Sequence, residues 1–186
     1  MTSASGDADL VRECLHGNLE AFDALVERYQ RPIFNVALRM VNNYDDANDI
    51  AQTVFLKAYE NLSSFNPRYK FHSWVYRIAI NESLNHASRA RPTEPLDAAF
   101  PRLASEAKDP EETLALTERD RSVRDALMSF PPAHRAVIVL RHYLGCSYDE
   151  IGRILNIPEK RVKSRLYTAR QQLKDVLVKR GIEWCA

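Results

Sequence analysis

The densest chemistry in this chain lies near its C-terminal end. There Lys160, Arg161, Lys163, Ser164, Arg165, Tyr167, Thr168, Arg170 and Gln171 are interleaved with apolar Val162, Leu166, Ala169 and Leu173. At helical spacing the four apolar residues share one face and leave the cations and hydroxyls on the other. Guanidinium and ammonium groups reach guanine edges or phosphates, Ser164 can hydrogen-bond to either, and Tyr167 offers an apolar contact plus a hydroxyl. Which of them touch bases is left open by residue type alone. Between Arg141 and Arg180 ten basic residues stand against four acidic ones, although the whole chain nearly balances at 26 Lys+Arg and 25 Asp+Glu. Such local asymmetry is the electrostatic footprint of a phosphate-binding surface; the bland alternative is a solvated basic face on a packed helix.

Other chemistries find little support. His16, His72, His86, His134 and His142 fall in no metal-ligand spacing, and His142 beside Cys146 reads as an incidental i, i+4 neighbour. Cys14, Cys146 and Cys185 are odd in number, far apart and in no C-x-x-C pair, which fits reduced thiols and suggests neither a disulfide framework nor a zinc site. There is no Gly-rich phosphate loop and no carboxylate pair set apart from solvated faces. The expectation is a protein with no catalytic residues, no metal and no cofactor. The N-terminus MTSASGDADL lacks a basic stretch before an apolar run, and no segment approaches a membrane span, so no membrane insertion and a cytoplasmic location are expected.

The elements that must position the basic face read as all-α, two small helical domains joined by a flexible linker. A first helix runs from about Asp7 to Leu15 and stops near Gly17. A second starts at Asn18 and carries Phe22, Leu25, Val26, Tyr29, Ile33, Ala37 and Leu38 at three- and four-residue steps, with Pro32 expected to kink or divide it. A third carries Ile50, Ala51, Val54, Phe55, Ala58 and Tyr59 on one face and Asp46, Asp49, Gln52, Thr53 and Lys57 on a polar one. Ser63 to Lys70 contains a proline and turn formers and reads as a loop before a fourth helix, Phe71 to Ser88, with Trp74, Val75, Ile78, Ala79 and Leu84 inward.

Residues 91–108 hold Pro92, Pro95 and Pro101 without a sustained apolar period, so they read as the linker between domains at 1–90 and 109–186. Asp109 and Glu112 form a capping box around Pro110, opening a helix that ends at Phe130-Pro131-Pro132; another, with Val137, Ile138 and Leu140, runs to Leu144 and Gly145. Ser147 and Glu150 cap a short helix with Ile151, Ile154 and Leu155, and Asn156-Ile157-Pro158 breaks it before the basic helix. A short helix, a tight turn and a basic second helix form a helix-turn-helix, whose second helix fits the roughly 12 Å-wide major groove.

Over nearly its full length the chain resembles the extracytoplasmic-function sigma factors of the sigma-70 superfamily. The stretches that carry the likeness are Gly17-Asn18-Leu19-Glu20-Ala21-Phe22 with Arg28-Tyr29, DDANDIAQTVFLKAYENL at 45–62, FHSWVYRIAIN at 71–81, and GCSYDEIGRILNIPEKRVKSRLYTARQQL at 145–173. The resemblance implies region 2 in the N-terminal domain and region 4 in the C-terminal one, with core RNA polymerase and promoter DNA as partners. It implies that Asp49, Gln52, Phe55 and Leu56 dock on the clamp helices of the largest polymerase subunit. It implies that Phe65, Arg68, Tyr69, Lys70, Phe71, Arg77 and Asn81 open and hold the −10 element. Aromatic rings stack on unpaired bases at about 1–3 kcal/mol each while cations hold phosphates. Trp74 reads as core instead, and Tyr69 and Lys70, on the loop, are the stronger candidates.

For the −35 element the resemblance points to Lys160, Arg161, Lys163, Ser164, Arg165, Tyr167 and Arg170. The chain departs from the family pattern in three places. Thr53 stands where Glu is usual, Glu159-Lys160-Arg161 replaces a commoner Gly-Thr pair, and Thr168 sits where a basic residue is frequent, shifting the expected phosphate contact toward the helix N-terminus. The family commonly has an anti-sigma factor that hides the polymerase-binding surfaces. The competing reading is a helix-turn-helix regulator that acts without core polymerase; it explains the C-terminal third but leaves the aromatic-basic loop without purpose.

Overall fold

The computed structural model describes residues 6–89 and 118–179, and every regular element in them is helical. The expected linker at 91–108 and the capping box at Asp109 lie outside the described residues. The N-terminal helices are α1 (Asp7–Leu15), α2 (Leu19–Val41), α3 (Tyr44–Glu60) and α4 (Phe71–Arg89). The C-terminal ones are α5 (Glu118–Met128), α6 (Pro132–Ile138), α7 (Tyr148–Leu155) and α8 (Glu159–Lys179). A short 3-10 turn, Leu62–Ser64, precedes the loop before α4, and a π-helical turn, Val139–Tyr143, continues α6.

Local sequence explains most of the boundaries. Gly17, at φ 93°, and Asn42, at φ 57°, take the left-handed conformation that ends α1 and α2. Asn43 then caps α3 by accepting the Asp46 amide at 3.0 Å. Pro32 does not divide α2. The helix continues through it although proline has no N–H to donate, because Ile33 and Val36 beside it are fully buried and hold both halves against α3 and α4. At the amino end Asp7 accepts hydrogen bonds from Arg28 and Tyr29, which fastens α1 across α2, and burial pushes the Tyr29 phenol well above its usual range.

Ile33, Val36, Ala37 and Met40 of α2 pack with Val54 and Ala58 of α3 and with Val75, Ala79 and Ile80 of α4. Fully burying each large aliphatic chain contributes about 1.5–3 kcal/mol before entropy is charged against it. This core does not stop at the end of α4. It runs on through Ala136, Val137, Val139 and Leu140 into Cys146, Ile151, Ile154, Val162 and Leu166, so the two helical groups lie closed on one another. A smaller cluster of Ala126, Leu127, Phe130, Ile138, Ala169, Leu173 and Leu177 joins α5 and α6 to the distal half of α8.

One buried charge ties the halves together. The Arg135 guanidinium donates to Leu127 O at 2.9 Å, Met128 O at 3.0 Å and Phe130 O at 3.2 Å, and also to Met40 O at the end of α2. The Met40, Leu127 and Met128 carbonyls belong to the last turns of two helices, where no intrahelical donor remains and the dipole favours a cation, and Phe130 lies just beyond the end of α5. Burial lowers the pKa of Arg135, and its multiple partners offset the desolvation.

Candidate nucleic-acid interface

The C-terminal helix-turn-helix is built as its residue types require. The Ser147 hydroxyl accepts the Glu150 amide at 3.2 Å, while the Glu150 carboxylate accepts the Ser147 amide at 2.9 Å, forming the capping box that starts α7. Asn156, at φ 52°, ends that helix, and the Arg161 amide bonds to Pro158 O at 2.8 Å in the first turn of α8. Gly152 sets the closeness of the turn, since the Ile157 amide reaches Gly152 O at 2.9 Å and a Cβ on Gly152 would lie 2.9 Å from Ile157 O. That role was missed in the sequence. Its signal was a lone glycine inside an otherwise amphipathic helix.

On α8, Val162, Leu166, Ala169 and Leu173 face inward as expected. Lys160, Arg161, Lys163, Ser164 and Tyr167 are exposed, Tyr167 at 69%, while Arg165 and Arg170 are half-buried. All seven lie along one helix. Lys163 is held by Glu159 at 2.7 Å, an i, i+4 pair on an open surface. Arg170 lies 3.4 Å from His142 Nε2; burial and then the cationic neighbours Arg170 and Arg141 lower the pKa of His142.

The second expected cluster divides. Phe65 and Phe71 are 7% and 3% exposed, so the expectation that they offer faces to bases is corrected here: they are core residues. Their rings meet at 5.7 Å, Phe71 packs on Tyr29, and Trp74 closes the group at 5.5 Å from Phe65 and 5.7 Å from Phe71. A base could stack there only by displacing this cluster. Arg68, Tyr69, Lys70 and Arg77 are exposed, and they join Ser73 and Trp74 as one wall of a cleft of about 630 Å³. Asn81 is exposed farther along α4 and is not part of that wall.

The opposite wall comes from the helix-turn-helix, through Ser147, Asp149, Glu150, Arg153, Ile154 and Asn156. Glu150 Oε1 receives Lys70 Nζ at 3.0 Å and lies 3.5 Å from His72 Nε2. The Ser147 amide, aided by Lys70, holds this carboxyl at a pKa of about 2 against the opposing effect of desolvation. Arg153 sits 5.7 Å over the Tyr69 ring. Neither acidic nor basic partner was foreseen, because 80 residues of chain separate Lys70 from Glu150.

A third surface lies on α3. Asp49 and Gln52 are exposed, Leu56 is 60% exposed, and Phe55 is half-buried one step round the helix. Exposed Tyr59 extends the patch and meets Phe22 of α2 edge-on at 5.0 Å. Leu19 is also exposed, at 61%. Among the described residues no His, Cys, Asp and Glu cluster could hold a metal, and no helix is long and apolar enough to cross a membrane.

A two-part helical protein with a basic helix-turn-helix defines a class of helical nucleic-acid-binding proteins. Comparison with known proteins narrows the class. The family model for sigma-70 region 2 matches residues 25–93, and that for sigma-70 region 4 matches residues 120–173. The ECF RNA polymerase sigma factor SigW of Bacillus subtilis is 32% identical over 176 residues, covering 90% of this chain and 94% of its own. The RNA polymerase sigma-H factor of Pseudomonas aeruginosa is 32% identical over 186 residues, covering 95% and 96%. Among solved structures, CnrH in complex with the cytosolic domain of CnrY matches 94% of this chain and 99% of its own at a TM-score of 0.71 and 24% identity. The sigma factor RpoE of Bartonella quintana, in complex with the anti-sigma factor NepR, matches 84% and 96% at 0.66 and 19%. This chain belongs to the ECF RNA polymerase sigma factors of the sigma-70 family.

Proposed function

We propose that the chain brings core RNA polymerase to particular promoters, with α8 reading the −35 element, the α4 wall taking the opened −10 element, and α3 docking on polymerase. The reading rests first on α8, whose basic and hydroxyl side chains lie on one open face above a buried stripe. Lys160, Arg161, Lys163, Ser164, Arg165, Tyr167 and Arg170 share the work of positioning on phosphates and discriminating bases. At the −10 element Tyr69 stacks on an unpaired base, Arg68, Lys70 and Arg77 hold the strand, and Asn81 extends the path along α4. Phe65 and Phe71 support the loop from beneath.

Asp49, Gln52, Phe55 and Leu56 form the polymerase-docking face, which the exposed apolar Leu56 and Tyr59 favour. The factor acts in the cytoplasm and makes no RNA itself, the chemistry belonging to polymerase. An anti-sigma factor restrains it, a reading supported by the anti-sigma complexes in which similar folds are seen. Footprinting of the reconstituted holoenzyme on a promoter it uses tests the assignment. Arg161→Ala is expected to weaken protection at −35 with core binding intact, and Leu56→Ala to weaken core binding; the reverse pattern would exchange the roles of α8 and α3.

A further inference from the structure

We infer that Arg31, Asn35 and Arg39 of α2, with Tyr76 of α4 and Tyr143 of the π-helical turn, form a binding site for a small phosphorylated anion, separate from the surfaces assigned above to DNA and polymerase. These residues line a cavity of about 410 Å³, within the range of small-ligand sites. It shares no lining residue with the cleft beside Lys70. Arg31, Asn35 and Arg39 recur at four-residue steps, so they follow one edge of α2, with a rise of about 12 Å between the two arginines. Their long side chains can close that span on a ligand with several anionic oxygens. Val36 and Val139, both buried, supply an apolar floor against which charge counts for more than it does in open water.

Three polar groups of this cavity lack the partners their chemistry calls for. Among the described residues neither Arg31 nor Arg39 meets a carboxylate at ion-pair distance. Arg39 is half-buried, donates through Nη1 to Asn35 O at 3.1 Å, and lies 4.0 Å from the centre of the Tyr143 ring. That contact fixes the guanidinium and leaves its other N–H donors for a phosphate, whose oxygens the planar fork can grip in pairs. The Leu144 amide bonds to Val139 O at 3.3 Å across the π-helical turn, a wide geometry frequent at functional sites, and the turn brings Tyr143 against Arg39. Tyr76 is 8% exposed, and its hydroxyl makes no hydrogen bond among the described residues. Burial above all, then Cys146 and Asp7, push this phenol up to about 12, so it keeps its proton and can donate to an anion.

The test is equilibrium dialysis of radiolabelled pyrophosphate against the full chain, at constant ionic strength and without divalent cations. Saturable binding is expected. Arg31→Gln, at an exposed position, keeps the fold and is expected to weaken binding about tenfold or more; Arg39→Gln is expected to do the same, since each removes charge-assisted bonds. Tyr76→Phe deletes only the hydroxyl, and a loss of about threefold is expected. Arg161→Gln removes the same charge from α8 and is expected to leave the affinity unchanged. Radiolabelled ADP separates two sources of the same chemistry: tighter binding than pyrophosphate, through a ring laid on exposed Tyr143, identifies a nucleotide, and equal or weaker binding identifies a simple phosphate anion. Absence of saturable binding at millimolar pyrophosphate would overturn the site, as would wild-type affinity in Arg31→Gln. An equally large loss in Arg161→Gln would put the anion on α8 and overturn it too.

Discussion

Arg135 lies in the interior because the ends of α2 and α5 converge on it and need a donor. A shorter or apolar side chain would leave several buried carbonyls without partners. Arg135→Met, which keeps much of the volume, is therefore expected to cost about 2–4 kcal/mol, measured as a lower urea midpoint. The sequence put Val137, Ile138 and Leu140 on a helix but gave no sign that Arg135 is buried with them, since a cation beside apolar residues reads as solvent-facing and only three converging segments make it otherwise. The same limit applies to Phe65 and Phe71. Their type suits base stacking and core equally, and burial against Tyr29 and Trp74 decides the matter. Tyr69 and Lys70 were legible as exposed residues of the loop before α4, because loop position and residue type agree.

At the scale of elements, the helix-turn-helix was legible nearly to the residue, since its caps are local chemistry: Ser147 with Glu150, then Asn156, then Pro158. Two consequences belong here. Gly152→Ala is expected to destabilise the protein by about 1–3 kcal/mol, because its Cβ would press on the Ile157 carbonyl and the backbone must shift; thermal melting checks this. Glu150 titrates at about 2 in the folded chain against 4.5 for the free side chain. Its depressed pKa means the contribution is present above about 4.5 and is lost as pH falls toward about 2. The stability difference between wild type and Glu150→Gln should therefore shrink over that window in acid melts, and a difference independent of pH would remove the ionic part of the cap. Pro32 shows the opposite case. A local rule suggested a break, and burial on both sides of the residue overrode it.

For the whole molecule, two helical domains joined by a linker were expected, and among the described residues one apolar cluster runs from α2 and α4 of the first into α7 and α8 of the second. Periodicity identifies which face of a helix is apolar but not which partner covers it, so the closure was invisible before the fold. Binding of duplex promoter DNA should weaken steeply with salt, and Arg161→Ala is expected to reduce the log–log slope by about 1 if that side chain neutralises a phosphate.

The central claim is that this chain selects promoters for core polymerase. In vitro transcription over a library of promoter fragments, with bacterial core polymerase and with or without the protein, measures it most directly. The account predicts transcripts from a subset of fragments that share two upstream elements, only when the protein is present, and their loss with Leu56→Ala or Arg161→Ala. Binding to duplex DNA without any directed initiation, across competent core enzymes, would contradict it and favour a regulator that acts without polymerase.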